Sequence, residues 1–173
     1  MGPLQSMLKG PTVPPPNPQA DGLGYNPRCL IRDINLQAAA ETTDDKVVGL
    51  IENHGNIMDF QTIFQGEFPQ GRMGVHTGGH YTIGGDAGSD FYNSVADPAF
   101  FPHHAMIDRV WWIWQNQDVQ KRQMEMQGST NINGEGVATL DDVMTMGPYV
   151  GAANITIRDA MNTLAGPFCY IYV

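Results

Sequence analysis

The sequence is poor in positive charge, in long apolar runs and in cysteine. Nine Lys and Arg side chains stand against 18 Asp and Glu, which gives a formal charge of −9. We therefore expect no binding to nucleic acid or anionic lipid, because both require concentrated positive charge. No apolar run approaches the ~20 residues that cross a bilayer, so no membrane span is expected. Two cysteines are too few for a zinc ribbon or a disulfide-dense miniprotein.

What is present is a chain of 173 residues, long enough to bury a core in one domain. Seven of its twelve prolines lie within the first 27 residues. Because proline fixes φ and removes an amide donor, we expect 1–25 to be an extended linker and 26–173 to be the folded domain. The first nine residues lack the apolar core of a signal peptide. If the parent protein is secreted, we expect its targeting signal to lie outside this sequence.

Hydrophobic periodicity predicts a mainly α-helical fold with long Gly- and Pro-rich loops. The strongest signal is a helix from Asp97 to about Gln117, in which Asp97 is the cap and Pro98 suits the first turn. Residues 66–96 are rich in glycine and aromatics, so we expect a loop there with a short helical turn around His76. Further elements are expected as helices at 43–51, 56–65, 139–147 and 158–164 and as a short C-terminal strand at 168–173.

Four of the five histidines lie between positions 76 and 104. His76 and His80 are spaced i, i+4, which places both imidazoles on one face of a helix, within reach of one metal ion. A third nitrogen from the long helix would complete a set that suits copper or zinc. Taken alone, this spacing is equally compatible with ordinary surface or core histidines.

The long helix strengthens the metal hypothesis. A core helix rarely needs His103-His104 followed by Asp108-Arg109, because burying such groups is costly unless each finds a partner. Adjacent histidines on a helix point about 100° apart, so the two are not expected to bind the same ion. His104 shares its face with apolar side chains and is the inward ligand candidate, while His103 is better placed as a supporting hydrogen-bond partner.

These motifs together resemble the second copper-binding half, called CuB, of the tyrosinase and catechol oxidase family. The closer similarity is to its short fungal members, and it extends from about Gly22 to the C-terminus. The stretches that carry the resemblance are Asn26-Pro27-Arg28-Cys29, the run Gly74 to Asp86, Asp97-Pro98 through His103-His104 to Asp108-Arg109, Trp111-Trp112-Ile113-Trp114-Gln115 and Pro167-Phe168-Cys169-Tyr170-Ile171-Tyr172.

The resemblance implies a type-3 copper enzyme, in which two copper ions, each held by three histidines, bind dioxygen and oxidise phenols. By matching positions, His76, His80 and His104 would hold CuB within a helical bundle. His103, Asp97 and Asp108 match positions that orient the ligands. Tyr170-Ile171-Tyr172 matches the tyrosine motif that closes the family's catalytic domain.

The family's first copper half, CuA, has no counterpart in this sequence. The remaining histidine, His54, lies in a polar turn that matches no ligand position. We therefore expect the chain to supply the CuB half for oxidation of o-diphenols to o-quinones. A CuA-bearing chain or self-association would have to complete the site. The alternative is a catalytically inactive, mononuclear copper-binding or interaction module that pairs with a CuA-bearing chain. The proline-rich start favours a fragment.

Two positions concern the choice of phenol. In the family, an Asn after the first CuB histidine and a nearby Glu are associated with deprotonating monophenols through a held water. Here the first position is Thr77, and the acidic one maps to Gln65, with Glu67 as the weaker match. This pair is a poorer base and favours o-diphenol oxidation over monophenol hydroxylation. Alternatively, Thr77 is only a small residue compatible with a helix.

Pro102 directly precedes the histidine pair. Inside a helix it would remove a hydrogen bond and clash with the preceding turn, at a cost of ~3 kcal/mol. We therefore expect the helix to begin only near Phe101 or to kink there, unless an irregular first turn accommodates the proline.

Cys29 and Cys169 lie near the two ends of the expected folded region. A disulfide between them would constrain the unfolded chain by ~4–5 kcal/mol in the entropy model. It would also imply an oxidising compartment. We favour this bridge over two free buried thiols.

Overall fold

A computed structural model describes residues 14–131 and 133–173 of the chain. Within them the chain is mainly α-helical, as predicted from the sequence. The α-helices are α1 (Leu36–Ala39), α2 (Asp44–Asn53), α3 (Ile57–Gln65), α4 (Gly74–Ile83), α5 (Gly85–Ser89), α6 (Phe100–Asn116), α7 (Val119–Arg122) and α8 (Ile157–Ala160), with 3₁₀-helices at Phe68–Gln70 and Ser94–Ala96. In this part of the chain, no helix combines the length and apolarity that crossing a bilayer requires.

The core lies between α2, α3, α4 and α6. Its buried side chains are Leu50, Ile51, Ile57, Phe60, Phe64, Val75, Val110 and Trp114. Phe60 stacks on Trp114 with ring centroids 4.7 Å apart, and Trp114 Nε1 donates to the carbonyl of His54 at 2.5 Å. The apolar faces of α2 and α3, which the sequence predicted, thereby hold α4 and α6, the two helices that carry the clustered histidines.

Helix α4 is the main departure from the sequence prediction. A loop with one helical turn was expected around His76, whereas Gly74–Ile83 form a ten-residue helix. Glycine is a poor helix former, but tertiary packing overrides propensity. The backbone of Ala38 lies close over Gly78, and the ring of His103 lies over Gly79, where a Cβ would overlap it. The glycines that argued against a helix are the residues that let its neighbours approach.

The predicted helix at 139–147 is wrong. Val143–Met144 (β1) instead pairs antiparallel with Ile155–Thr156 (β2). The carbonyl of Leu140 accepts from the amide of Arg158 at 2.8 Å, so it does not close a helical turn. The helix expected at 158–164 is also shorter, because α8 makes a single turn.

The predicted strand at 168–173 is also wrong, although these residues are firmly attached. The hydroxyls of Tyr170 and Tyr172 both donate to Asp108 Oδ2, at 2.6 and 2.5 Å. Arg109 Nη2 donates to the carbonyl of Val173 at 3.3 Å. Side chains therefore fix this C-terminal tail to α6, and the two-stranded sheet of the described residues offers it no partner strand.

The segment before α1 is bound to the histidine-bearing region by ion pairs. Arg28 pairs with Asp86 and, at 2.7 Å, with Asp90. Further upstream, Gly22 lies against the ring of Tyr92. Residues 14–25 contain no helix or strand, and 1–13 lie outside the described residues, so the linker at 1–25 stays a prediction.

Cys29 and Cys169 are free, exposed thiols. The predicted disulfide is therefore wrong for this structure. Each cysteine belongs to a segment that is anchored without it: Cys29 follows Arg28 in the acidic network, and Cys169 precedes Tyr170 in the tail held by α6.

Candidate metal centre

Three imidazoles from two helices converge at one point. Helix α4 contributes His76 and His80, one turn apart, and α6 contributes His104. His80 Nε2 lies 3.1 Å from His76 Nε2 and 3.1 Å from His104 Nε2. With His103 included, one ring nitrogen from each of four histidines lies within 4.8 Å of all the others. The i, i+4 spacing thus brings both imidazoles of α4 to the side that faces His104.

The donor set fits a transition-metal ion. Imidazole nitrogens bind such ions at ~2.0–2.1 Å, so two nitrogens 3.1 Å apart fit the coordination sphere of one ion. A cation bound between these nitrogens would accept a lone pair from each of them. A set of three imidazoles with room for a further ligand suits copper or zinc.

Three of the four histidines are held in their uncharged form. Burial lowers the pKa of His76 to about 3, and repulsion by His80, His103 and His104 adds to the shift. Burial and neighbouring histidines also lower the pKa of His103 to about 4 and that of His104 below its usual range. A metal binds imidazole through an unprotonated nitrogen. At neutral pH these rings therefore do not have to lose a proton before a metal binds.

His103 contacts the backbone of the cluster from the side. Its Nε2 donates to the backbone carbonyl of His76 at 3.0 Å. Its ring lies parallel to that of His76, at 9° with centroids 5.7 Å apart, and rests on Gly79. Because a carbonyl only accepts, Nε2 of His103 carries the hydrogen and is not a metal ligand atom. His103 is thus a positioning residue for the first turn of α4.

Gln65 and Thr77, the two positions expected to govern the choice of phenol, contact each other and His76. The side-chain oxygen of Gln65 accepts from His76 Nδ1 at 2.6 Å. The hydroxyl of Thr77 donates to the backbone carbonyl of Gln65, also at 2.6 Å. Both polar groups are therefore engaged within the protein.

Phe100 is a site residue whose role the sequence did not reveal. Its ring stacks on that of His104, with centroids 4.1 Å apart and planes at 27°. It also lies near His80, at 6.1 Å between centroids. The signal available in the sequence was its spacing, since Phe100 precedes His104 by one helical turn and i, i+4 side chains meet on a helix.

Asp97 binds Arg32 and the residue before α6, and its expected role in orienting a metal ligand stays a prediction. It is fully buried and forms two hydrogen bonds with Arg32, from Nε at 2.7 Å and from Nη2 at 2.6 Å. The amide of Ala99 donates to its Oδ1 at 2.9 Å. These bonds with Arg32 hold the pKa of the Asp97 carboxyl below its usual range. Asp97 therefore fixes where α6 starts and binds it to the segment before α1.

Asp108 binds the C-terminal tail, and its expected role in orienting the ligands stays a prediction. Its carboxylate accepts from the two tail tyrosines, so it anchors the C-terminus. Burial, together with this carboxylate, raises the pKa of both phenols, that of Tyr172 to about 12. The tyrosine motif and Asp108, which the sequence placed in separate roles, form one attachment.

Pro102 lies in the first turn of α6. The helix begins at Phe100, so Pro102 is its third residue. Amides in the first turn of a helix have no partner within it, and a proline there sacrifices no bond. The first amide that closes an α-helical turn belongs to His103, which donates to Ala99 at 3.3 Å. The helix runs without a break from Phe100 to Asn116, so it begins close to the expected Phe101 and its first turn accommodates the proline.

His54 lies apart from the cluster. Its Nδ1 donates to the carbonyl of Leu50 at 3.0 Å, at the end of α2. Its own carbonyl accepts from the buried Trp114. The fifth histidine is thus part of the helix packing, as its poor match to any ligand position indicated.

Comparisons with known proteins agree with this geometry. A family model described as the common central domain of tyrosinase matches residues 2–117. Tyrosinase P of Aspergillus terreus is 34% identical over 153 residues, which are 86% of this chain and 42% of that protein. N-acetyl-6-hydroxytryptophan oxidase ivoB of Emericella nidulans is 31% identical over 183 aligned positions, covering 99% of this chain and 48% of that protein.

A solved structure gives the same result for the fold. A point mutant of polyphenol oxidase from Thermothelomyces thermophila superposes with a TM-score of 0.76 and 34% identity, over 90% of this chain and 44% of that one. The chain thus spans less than half the length of each of these three proteins. Since the family model covers more than half of the chain and the relatives align along most of it, the chain belongs to the tyrosinase family.

Proposed function

We propose that this chain supplies the CuB half of a type-3 copper site, and that the complete site oxidises o-diphenols to o-quinones with dioxygen. The observation that carries the proposal is the convergence of the Nε2 atoms of His76, His80 and His104. Copper is the metal that membership of the tyrosinase family implies, and the donor set fits it. When bound, copper supplies the electron transfer between the phenol and dioxygen.

The chain's own residues prepare the ligand nitrogens. Burial keeps the His76 and His104 rings neutral, so their lone pairs are available. His103 fixes the first turn of α4 through the carbonyl of His76. Phe100 covers one face of the His104 ring, which limits its rotation and keeps water from that face. These contacts pre-organise the nitrogens before any ligand arrives.

A second copper ion needs ligands from outside this chain. Four of its five histidines already belong to the cluster, and His54 is engaged at the end of α2. Three further imidazoles would have to come from a CuA-bearing chain or from self-association. The number of histidines also supports the alternative, a mononuclear copper-binding or interaction module without turnover of its own.

The contacts of Thr77 and Gln65 support diphenols as the substrate class. Hydroxylation of a monophenol needs a group that takes the phenol's proton. The Thr77 hydroxyl donates to a backbone carbonyl, and the Gln65 amide, which is no base, accepts from His76. An o-diphenol is oxidised by loss of two electrons and two protons, without insertion of oxygen into the ring. We therefore propose that oxidation of o-diphenols exceeds hydroxylation of monophenols.

The test is catechol oxidation by the copper-loaded chain, alone and with a segment that carries the CuA histidines of a fungal relative. We expect little turnover from the chain alone and quinone formation from the pair, together with two copper ions per complex. His80→Ala is the control that removes the central nitrogen of the cluster and should abolish the gain. Catechol turnover by the isolated, monomeric chain would contradict the half-site proposal. Failure of the pair, with copper bound to each part, would favour the inactive module.

A further inference from the structure

Gln65 makes a polar contact to the histidine cluster from outside α4 and α6. It is the last residue of α3, and its Oε1 lies 2.6 Å from His76 Nδ1. His76 faces His80 through its other ring nitrogen, Nε2, at 3.1 Å. The two nitrogens of one imidazole thus have different partners, an amide oxygen on one side and the cluster on the other.

The position of Gln65 is fixed by the backbone around it. Helix α4 begins at Gly74, whose φ of +70° suits glycine and whose Cα lies so close to the carbonyls of Ile63 and Phe64 that a Cβ would overlap them. The hydroxyl of Thr77 then donates to the backbone carbonyl of Gln65 at 2.6 Å. The end of α3 is therefore held against the first turn of α4, and the side chain of Gln65 needs no large movement to reach His76.

The chemistry of this contact determines where the hydrogen of His76 lies. An amide oxygen accepts and cannot donate, so Nδ1 of His76 must carry the hydrogen. In a neutral imidazole the other nitrogen, Nε2, then has a free lone pair. Nε2 is the atom that points to His80. The contact with Gln65 thus selects the only neutral tautomer of His76 in which the inward nitrogen can bind a metal.

We propose that Gln65 is a positioning residue that sets the tautomer of His76 and thereby prepares its Nε2 for the metal. The statement about the metal rests on the proposed function, whereas the statement about the tautomer does not. This role of Gln65 differs from the one expected by resemblance, in which this position helps to hold a water for proton transfer. The side-chain oxygen of Gln65 instead accepts from the imidazole of His76.

The test begins with the metal-free protein. Nitrogen-15 NMR of the imidazole rings distinguishes protonated from unprotonated Nδ1 and Nε2, and the signals of His76 are assigned by their loss in His76→Gln. In the unaltered chain we expect hydrogen on Nδ1. In Gln65→Leu this preference should weaken or reverse, since no acceptor faces Nδ1. In Gln65→Glu it should persist, since a carboxylate accepts more strongly than an amide.

The matched control is Gln61→Leu, the same change one turn earlier on α3, which should leave the tautomer of His76 unaltered. If Gln65→Leu does not fold, Gln65→Asn replaces it. The shorter side chain of Asn stays polar but moves the acceptor oxygen away from His76. Hydrogen on Nε2 in the unaltered chain, or an unchanged tautomer in the variant without an acceptor, would overturn the proposal.

Copper affinity then separates this inference from the function. Measured by competition with a chelator, affinity for Cu(II) should fall about 10–100-fold in Gln65→Leu, the range typical of losing a partner of a ligand histidine. It should be kept in Gln65→Glu. If the tautomer behaves as described but no variant binds copper, the proposed function fails and the role of Gln65 stands. If copper binds equally to all variants, the role of Gln65 in metal binding is refuted.

Discussion

At the scale of single residues, the site depends on nitrogens that stay uncharged while they face one another. His76, His80 and His104 present Nε2 atoms to a common centre, and burial is the first cause that lowers the pKa of His76 and His104. The supporting contacts then differ in kind. Gln65 binds a ring nitrogen of His76, His103 binds its backbone, and Phe100 stacks on His104.

The two kinds of histidine are expected to respond differently to removal. His80→Ala deletes the nitrogen that lies 3.1 Å from both others, so stoichiometric copper binding should be lost. His103→Ala leaves the three Nε2 atoms in place and removes only a support, so copper should still bind, with affinity lowered about 10–100-fold. Titration with Cu(II) against a chelator measures both. Loss of all binding in His103→Ala would instead make His103 a ligand.

The metal-free protein should lose stability as it is acidified below neutral pH. The pKa of His76 in the folded chain, about 3, is below its ordinary value of 6.5. Between these values the unfolded chain binds more protons, so the stability is fully present above pH 6.5 and is lost as the pH falls toward 3. Urea unfolding between pH 5 and 7, above the range of most carboxylates, should show this decline. In His76→Asn the free energy of unfolding should fall less steeply with decreasing pH. An equal fall in the variant and the unaltered chain would contradict this explanation.

The sequence predicted which residues would meet, but it did not predict all of their partners. The ligand set was expected from local spacing on a helix and from the resemblance, and the structure brings these histidines together. The partners of Gln65, Asp97 and Asp108 depend on which helix ends approach each other in the folded chain. No periodicity encodes that approach, so the sequence did not reveal these partners.

At the scale of elements, α4 shows how packing overrides local preference. Its glycines argued for a loop, yet Gly79 provides the surface on which the His103 ring rests. By contrast, α2, α3 and α6 have strong apolar faces that bury against one another, and their positions were predicted within a few residues. Pro102 was predicted to disturb α6. The sequence locates the start of a helix only to within a few residues, so it could not show that Pro102 lies within the first turn.

Two glycine-to-alanine changes test this interpretation of α4. Gly79→Ala puts a methyl group where the His103 ring lies, so the ring must move away from the His76 carbonyl, and copper affinity should fall. Gly49→Ala, in α2, meets only the flexible Asn53 side chain at 3.6 Å. It should stabilise the chain by up to ~1 kcal/mol without altering copper affinity. Thermal unfolding and chelator competition measure the pair, and an unchanged affinity in Gly79→Ala would contradict the packing role.

At the scale of the whole molecule, an early segment and the C-terminal tail attach at two different points along α6 and the residues just before it. Arg32 binds the buried Asp97 just before the helix, and the tail tyrosines bind Asp108 in its middle. The helix that carries His103 and His104 is therefore held by polar contacts from both sides of the sequence. The sequence identified these residues as unusual, but not their pairing, because the partners lie more than 60 positions apart.

Removing the cation that faces the buried carboxylate of Asp97 should destabilise the fold more than removing an exposed ion pair. Arg32→Met leaves the fully buried carboxylate of Asp97 without its cation, which is costly. Arg158→Met removes the exposed pair with Asp141 and should have little effect. Adding Asp97→Asn to Arg32→Met should restore part of the loss, because no charge is then stranded. Equal melting temperatures for Arg32→Met and Arg158→Met would refute this role.

The central claim is that this chain holds one copper ion, through His76, His80 and His104. Elemental analysis of copper-reconstituted, size-fractionated monomer, with electron paramagnetic resonance on the same sample, tests it most directly. We predict about one copper per chain, visible as an isolated Cu(II) signal and absent from His80→Ala. Two coppers per chain with a silent spectrum would show that one chain completes the pair, and no bound copper would show that the cluster is not a copper site.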